Sequence, residues 1–427
     1  MSDSHPREGE PFRDASIRRT VRIPSALKNS LRQWRPSRDA WGSLRRRQLQ
    51  HEYERRREYY ALQAEERGLS TRESDVVADI RRRIAARGYA PRRRQLGAIH
   101  TFACIPTFSW HEHLLPDLRE LGPVTHFDYT ALGFGVEELA RTDRNGIARR
   151  RLMLEQLLPA VRAAHKDRPI DWLFCYGGGQ DTSPRIIRQI VNELGIPTVN
   201  MSLDDKQGWA GRSNDECRTG AVDITREFDL YITSARVALE WHAVEGGRPI
   251  YMPEGFNPAT YRPMDLARDL PVSFVGAAYG FRASTIDYLK SHRVDIHPFG
   301  PGWGTRSVWG DEQVEIFNRS QINLGMGGIE YSESLTNVKT RDFEIPGTGG
   351  GAYLTSFNPD LALHFVVGTE ILCYRSRDEL LELIRYHLSR PDETREIGRR
   401  GRERSLREHR WLHRYLKALQ ILGVTAE

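Results

Sequence analysis

The densest chemistry in the sequence lies between Asn337 and Thr355, where Lys339, Arg341 and Glu344 precede the glycines Gly349, Gly350 and Gly351 and an apolar run from Ala352. Two cations beside one carboxylate suit a nucleotide sugar. The cations meet phosphate oxygens, or one of them only pairs with Asp342 or Glu344, and a carboxylate projecting into a cleft accepts hydrogen bonds from both ribose hydroxyls. On a short helix, Lys339 and Phe343, or Thr340 and Glu344, stand one turn apart on a shared face. Gly349 to Gly351 then let the backbone approach a ligand, because no Cβ intervenes.

Further candidates sit where apolar runs end, since ligands of open parallel sheets collect outside the carboxyl ends of the strands. Gly276 closes the run from Val272, and Arg282 opens the helix after it. An amide dipole and a guanidinium there face a diphosphate together, or Arg282 is a surface residue at a helix start. Gly300-Pro301-Gly302-Trp303 comes after the next strand and sets an indole either beside a base or into the packing. In the first half, Thr107 to His113 comes after the first strand. His111 at that helix start is either a base with a pKa near operating pH or a capping or surface histidine. Gly177 to Asp181 and Ser202 to Asp205 are further loops after strands. Asp204 and Asp205 either bind a hydroxyl or a metal, or Asp204 caps a helix; two adjacent carboxylates do not by themselves make a metal site, and no metal is assigned.

These positions need a scaffold. Short apolar runs at 96–105, 124–129, 170–176, 198–203, 230–233 and 249–252 alternate with helical stretches such as 146–166 and 184–194. That alternation predicts a parallel sheet. The turn-rich segment from Pro253 to Pro263 reads as a linker, and a second series begins beyond it with strands at 272–275, 294–299, 321–324, 352–355 and 370–374. Helices from Arg377 to Leu422 close the chain. The expectation is an α/β protein: a basic, partly helical extension over 1–95, then two facing Rossmann-like, doubly wound domains over 96–262 and 263–427.

A chain of 427 residues is long for one core, and 39% hydrophobic content suits a soluble protein. No apolar run is long enough to cross a bilayer and the first residues lack a signal-peptide core, so a cytoplasmic protein is expected. Cys104, Cys175, Cys217 and Cys373 show no C-x-x-C spacing, and Cys104 and Cys175 lie in strand-like runs as core residues. Residues 1–95 hold 24 Lys and Arg against 13 Asp and Glu, a balance of +11 against +6 for the whole chain, so the basicity belongs to the extension. Its runs Arg45 to Arg47, Arg55 to Arg57 and Arg81 to Arg83 are interleaved with Glu and apolar residues at helical spacing. They form an arm packed on the rest of the chain or on a second copy in a homodimer, or a surface for anionic membranes or nucleic acid.

In the order Val272-Ser273-Phe274-Val275-Gly276, Arg282, His297 to Trp303, Arg341 to Pro346 and Gly368-Thr369-Glu370, the second half resembles the nucleotide-sugar domain of retaining glycosyltransferases, and the chain from Leu96 onward resembles the CgeB-like GT-B group. The resemblance implies a metal-independent hexosyl or related transferase that uses a UDP- or GDP-linked sugar as substrate, needs no cofactor and passes the sugar to an unspecified acceptor in the first domain. It implies donor contacts from Gly276, Arg282, Gly300, Trp303, Lys339, Arg341, Glu344, Gly349 and Gly350, and Arg282 in the matching position neutralises the leaving diphosphate. Glu344 matches the second acid of the paired-Glu motif, the one that grips the ribose. The first acid falls on Thr336, a departure, with Glu330 and Glu333 nearby but out of register. His111, Asp204 and Asp205 stand on the acceptor side. Two other readings are a nucleotide-binding scaffold without catalysis and a glycosyltransferase acting on nucleic acid held by the arm.

Overall fold

The computed structural model describes residues 35–106, 108–329 and 332–425. Residues 1–34 of the extension, Thr107 and Glu330 lie outside that set. Apolar residues at helical spacing set the faces of the first two helices. Helix α1 (Arg35–Glu66) buries Tyr60 and Ala64, and α2 (Glu73–Ala86) buries Val76, Ile80 and Ile84, one residue per turn along a single face. Neither stands apart from the first lobe. The Tyr60 hydroxyl donates to Glu245 and accepts from Trp209 Nε1, while Ile80 and Ile84 share a core with Leu118 and Trp172. Several arginines of the arm are engaged inside the molecule: Arg83 and Arg87 both pair with buried Asp229, and Arg56 donates to the Lys206 carbonyl.

The first lobe continues through β1 (Thr101–Cys104), α3 (Phe108–Leu121), β2 (Val124–Phe127), α4 (Val136–Leu139), α5 (Arg144–Asp167), β3 (Trp172–Tyr176), α6 (Pro184–Leu194), β4 (Thr198–Ser202), α7 (Asp205–Gly208), β5 (Leu230–Thr233), α8 (Ala238–Val244) and β6 (Pro249–Tyr251). Its six strands are parallel in the order β2-β1-β3-β4-β5-β6. Helix boundaries obey local chemistry: Asp143 caps α5, and Ser183 caps α6 with Pro184 in its first turn and Gly195 in the left-handed region at its end. Cys104 and Cys175 are neighbours in register, buried as expected of core residues. The first strand is shorter than the apolar run predicts, because the chain turns through Gln95 to Ala98 and leaves Leu96 exposed.

The second lobe carries β7 (Leu270–Val275), α9 (Arg282–Ser291), β8 (Ile296–Phe299), α10 (Asp311–Arg319), β9 (Ser320–Leu324), a hairpin of β10 (Gly328–Ile329) and β11 (Ser332–Thr336), α11 (Arg341–Thr348), β12 (Ala352–Ser356) and β13 (Leu372–Tyr374). The five main strands are parallel in the order β13-β12-β9-β7-β8. Helices α12 (Arg377–Leu388), α13 (Pro391–Glu408) and α14 (Trp411–Leu422) end the chain, and α14 does not stay with this lobe. Its Trp411, Tyr415 and Leu419 enter the first lobe's core with Ile80, Leu118 and Trp172. The chain therefore crosses between the lobes twice, and the crossings are tied together: Phe256 N–H donates to the His409 carbonyl at 3.0 Å, and Trp411 N–H to the Phe256 carbonyl at 3.2 Å. Two facing Rossmann-like lobes are thus joined where the two crossings meet. Among the described residues no helix is long and apolar enough to cross a membrane.

Candidate functional site

Between the lobes lies a cleft of about 410 Å³. The second lobe lines it with Tyr279 and Arg282 from the loop after β7 and with Lys339, Arg341 and Glu344 from the segment entering α11; the first lobe adds Trp110, His113 and Asp204. A smaller recess of about 160 Å³ shares Arg282, Lys339 and Arg341 and is floored by Gly276 and the backbone of Gly325 to Gly327. Four of the sequence-predicted donor residues thus meet at one place.

Lys339 precedes α11 rather than riding on it, which removes the expected Lys339–Phe343 face. The turn is held by Asp342, whose carboxylate accepts from the Lys339 N–H at 2.7 Å and from the Tyr353 hydroxyl at 2.5 Å. Burial pushes the Asp342 carboxyl up to about 6. The Lys339 ammonium reaches across the cleft to Asp204 at 3.0 Å. Glu344 is buried, with Arg341 Nη1 at 3.1 Å from one oxygen and His113 Nδ1 at 3.1 Å from the other. Both partners line the cleft, so a ligand hydroxyl can take the place of either.

Arg282 starts α9, half-buried, with its guanidinium 4.2 Å from the Tyr279 ring centroid. Nη1 and Nη2 make only long contacts to the carbonyls of Ala277 and Met326, at 3.3 and 3.4 Å, and the buried Nε has no partner among the described residues. A guanidinium held so loosely inside a lobe has donors to spare for an anion. Gly276 makes its room: a Cβ there would stand 3.3 Å from Nη1.

Other sequence assignments are corrected by packing. The Trp303 indole donates to the Gly276 carbonyl at 2.6 Å and packs on Phe274, so it braces the loop from behind instead of bordering a ligand. Gly300, at φ +128°, is needed because a Cβ would lie 2.6 Å from the Gly276 carbonyl oxygen. Gly349 ends α11 in the left-handed region against Arg402, and a Cβ on Gly350 would strike the Phe317 carbonyl. These glycines serve helix termination and close packing, not a ligand. Tyr279 and Trp309 are exposed aromatics at the cleft, and sequence reading missed Trp309 because it sits at the far end of the loop between β8 and α10, away from the glycine turn that follows the strand.

On the first lobe, His111 turns away from the cleft. Its Nε2 lies 2.6 Å from the Ile105 carbonyl oxygen, with His126 Nε2 at 3.3 Å from the same atom. His111, His126 and Asp128 form the one group of three metal-capable side chains among the described residues, but both imidazoles are already engaged and Asp128 holds the turn at Ala131. It is His113, two positions on, that faces the cleft. Asp204 and Asp205 divide in the same manner. Asp204 lines the cleft, and its side chain makes no cap to α7. Asp205 is buried beneath, bonded to Ser202 at 2.6 Å, Thr233 at 2.5 Å and His242 at 3.1 Å, and so is structural. Thr336, where the family pattern has its first acid, gives its carbonyl to Lys206 Nζ at 2.7 Å. Glu333 pairs with Arg377 away from the cleft.

A second cavity, about 280 Å³, opens beyond the ends of β3 and β4 and joins the cleft at Leu203 and Asp204. Asp181 lines it, almost fully buried: Oδ2 accepts from the Gly178 N–H at 2.9 Å and Oδ1 has no partner among the described residues. Burial pushes its carboxyl up to about 7.

The fold is GT-B. The chain is similar to an alpha,alpha-trehalose-phosphate synthase (UDP-forming) from Burkholderia vietnamiensis, at 10% identity over 77% of this chain and 100% of that one, with a TM-score of 0.50. It is also similar to a glycosyltransferase from Rickettsia africae, at 9% identity over 76% of this chain and 99% of that one and a TM-score of 0.49. Anabaena HepE in complex with UDP-glucose is similar at 12% identity over 75% and 98%, with a TM-score of 0.48. At such identities the likeness is one of fold. Residues 282–420, which hold Arg282, Lys339, Arg341 and Glu344, match the family model described as glycosyl transferase-like. No curated protein matches the sequence.

Proposed function

We propose that this chain is a glycosyltransferase of the CgeB-like group, moving a hexose or related sugar from a UDP- or GDP-linked donor to an acceptor held by the first lobe. One observation carries the reading: Arg282, Lys339, Arg341 and Glu344 converge on a single cleft between two Rossmann-like lobes. Arg282 and Lys339 bind the diphosphate with the N terminus of α9 behind them, and Glu344 exchanges a protein partner for ribose hydroxyls. As the bond from the sugar carbon to the diphosphate oxygen breaks, these cations hold the charge that develops on the leaving group. The acceptor oxygen bonds to the same face of the sugar, and its proton passes to the departing phosphate, so configuration is retained without a protein base. The cations carry the neutralisation, so the scheme calls for no metal ion. Contacts between the lobes at Lys339–Asp204 and Lys206–Thr336 exclude water that would otherwise hydrolyse the oxocarbenium-like species. We place the protein in the cytoplasm, where nucleotide sugars are supplied.

The test is nucleoside diphosphate release from a panel of UDP- and GDP-sugars with the full chain. Release from one of them supports the reading. Melting shifts with nucleotides but no release from any sugar favour the catalytically silent scaffold, and neither response refutes both.

A further inference from the structure

Glu254 opens the linker that leaves β6, and it lines the cleft beside Asp204, Lys339, Tyr279 and Arg282. Nothing in its sequence context marks it, since Pro253-Glu254-Gly255 reads as an ordinary turn. Its side chain is 2% exposed, and Oε2 has no hydrogen-bond partner among the described residues. A buried polar atom left without a partner costs free energy that a molecule recovers only when something supplies the missing bond.

The backbone beneath this side chain is fixed with unusual thoroughness. Arg414 donates from Nε and Nη2 to the Glu254 carbonyl, at 3.3 and 3.1 Å, and from Nε to the Pro253 carbonyl at 3.1 Å. A Cβ on the next residue, Gly255, would stand 2.8 Å from the Trp411 amide nitrogen, so the linker lies directly on the returning strand of chain. The two crossings between the lobes thus clamp Glu254 at the cleft floor, where a side chain cannot swing out to water to satisfy itself.

We propose that Glu254 is a ligand-reading acid whose carboxyl donates a hydrogen bond to a hydroxyl of the sugar moiety. The inference rests on the nucleotide-sugar reading of the cleft and adds the contact that tells a nucleotide sugar from a bare nucleoside diphosphate. The groups facing Glu254 are the Lys339 ammonium, the Asp204 and Asp342 carboxyls, the Tyr176 and Tyr251 phenols and the Arg414 guanidinium. Burial raises the Glu254 carboxyl well above the usual range, and Asp342 and Asp204 push the same way while Lys339 opposes them. Burial and the two neighbouring carboxyls thus favour the protonated form of the group, the form that has a proton to give. A site that spends a buried donor on a hydroxyl rejects the ligand that lacks it.

Calorimetric titration of the full chain with the nucleoside diphosphate alone and with the matching nucleotide sugar tests this. Glu254→Ala is expected to lose affinity for the nucleotide sugar by about 10- to 100-fold and for the bare diphosphate by less than about 2-fold. Glu254→Gln, whose amide still donates, should recover most of the loss. In the wild type the preference for the nucleotide sugar should decline as rising pH ionises the carboxyl, whereas in Glu254→Gln it should stay level. If Glu254→Ala does not fold, Glu254→Met keeps the volume without the donor and takes its place. An Ala or Met variant that binds both ligands like the wild type, or that loses both equally, overturns the inference while leaving the cleft's assignment intact. A wild type that binds neither ligand refutes the cleft's assignment and this inference with it.

Discussion

Across the cleft, the loop after β4 in the first lobe faces the segment between β11 and α11 in the second. Each sends a lysine to the other: Lys206 donates to the Thr336 carbonyl, and Lys339 pairs with Asp204. Their buried acids differ. Asp205 is closed in by Thr233 and His242, both fully buried, with Ser202 at the edge of the second cavity, whereas Glu344 is held by Arg341 and His113, which both stand at the cleft. A carboxylate held mainly by internal partners supports the fold; one whose partners line the cleft can trade them for a ligand. Adjacent residues of one loop thus divide between scaffold and site according to what surrounds them.

The contrast is broken most sharply at Asp205. Replacing it with Ala leaves His242 and the Thr233 hydroxyl buried without their acceptor, and should cost about 3–5 kcal/mol of stability in urea denaturation; a variant as stable as the wild type would show that the network is not structural. Asp181 sharpens the comparison within the first lobe, because it is a buried acid with one open oxygen. Its folded pKa lies above the unfolded value, so its contribution is fully present below about pH 4 and is lost as pH rises through about 7. Asp181→Asn should therefore be more stable than the wild type above pH 7, by an amount on the order of 4 kcal/mol, and should lose that advantage by pH 4. Equal pH profiles for the two proteins would contradict the assignment.

At Glu344 the expectation reverses. Glu344→Ala should lower transfer by about 100-fold, or about 2.7 kcal/mol, with little change in melting, since Arg341 and His113 are left where water solvates them. A large drop in stability with activity retained would move Glu344 into the same class as Asp205. The smallest effect belongs to Asp204→Ala. Its side chain is 59% exposed, so losing the pair with Lys339 should leave stability within about 1 kcal/mol and change KM a few-fold more than kcat.

Much of the architecture was legible from the sequence because strand and helix alternate with clear punctuation, as at Ser183-Pro184 and Gly195, where cap and stop fall within one helix length. The return of α14 to the first lobe was not legible. Trp411, Tyr415 and Leu419 announce an apolar face, but periodicity does not say which lobe covers it. In the site, Arg282, Lys339, Arg341 and Glu344 could be read because charge after a strand or beside a helix start is a local signal. The division between His111 and His113, or Asp204 and Asp205, could not, since it turns on which side of a helix or loop each residue occupies. The glycine run misled for a related reason: Gly350 answers to the Phe317 carbonyl, a neighbour far away in sequence.

The central claim is that the second lobe's cations and carboxylate grip an activated sugar nucleotide between the lobes. The most direct measurement is a crystal structure of the full chain with the nucleoside diphosphate that it binds. Diphosphate oxygens are expected within hydrogen-bond distance of Arg282 and Lys339, and the ribose hydroxyls on Glu344. A nucleotide bound with its diphosphate outside that cleft, and with Arg282 still turned to the Ala277 and Met326 carbonyls, would contradict the claim.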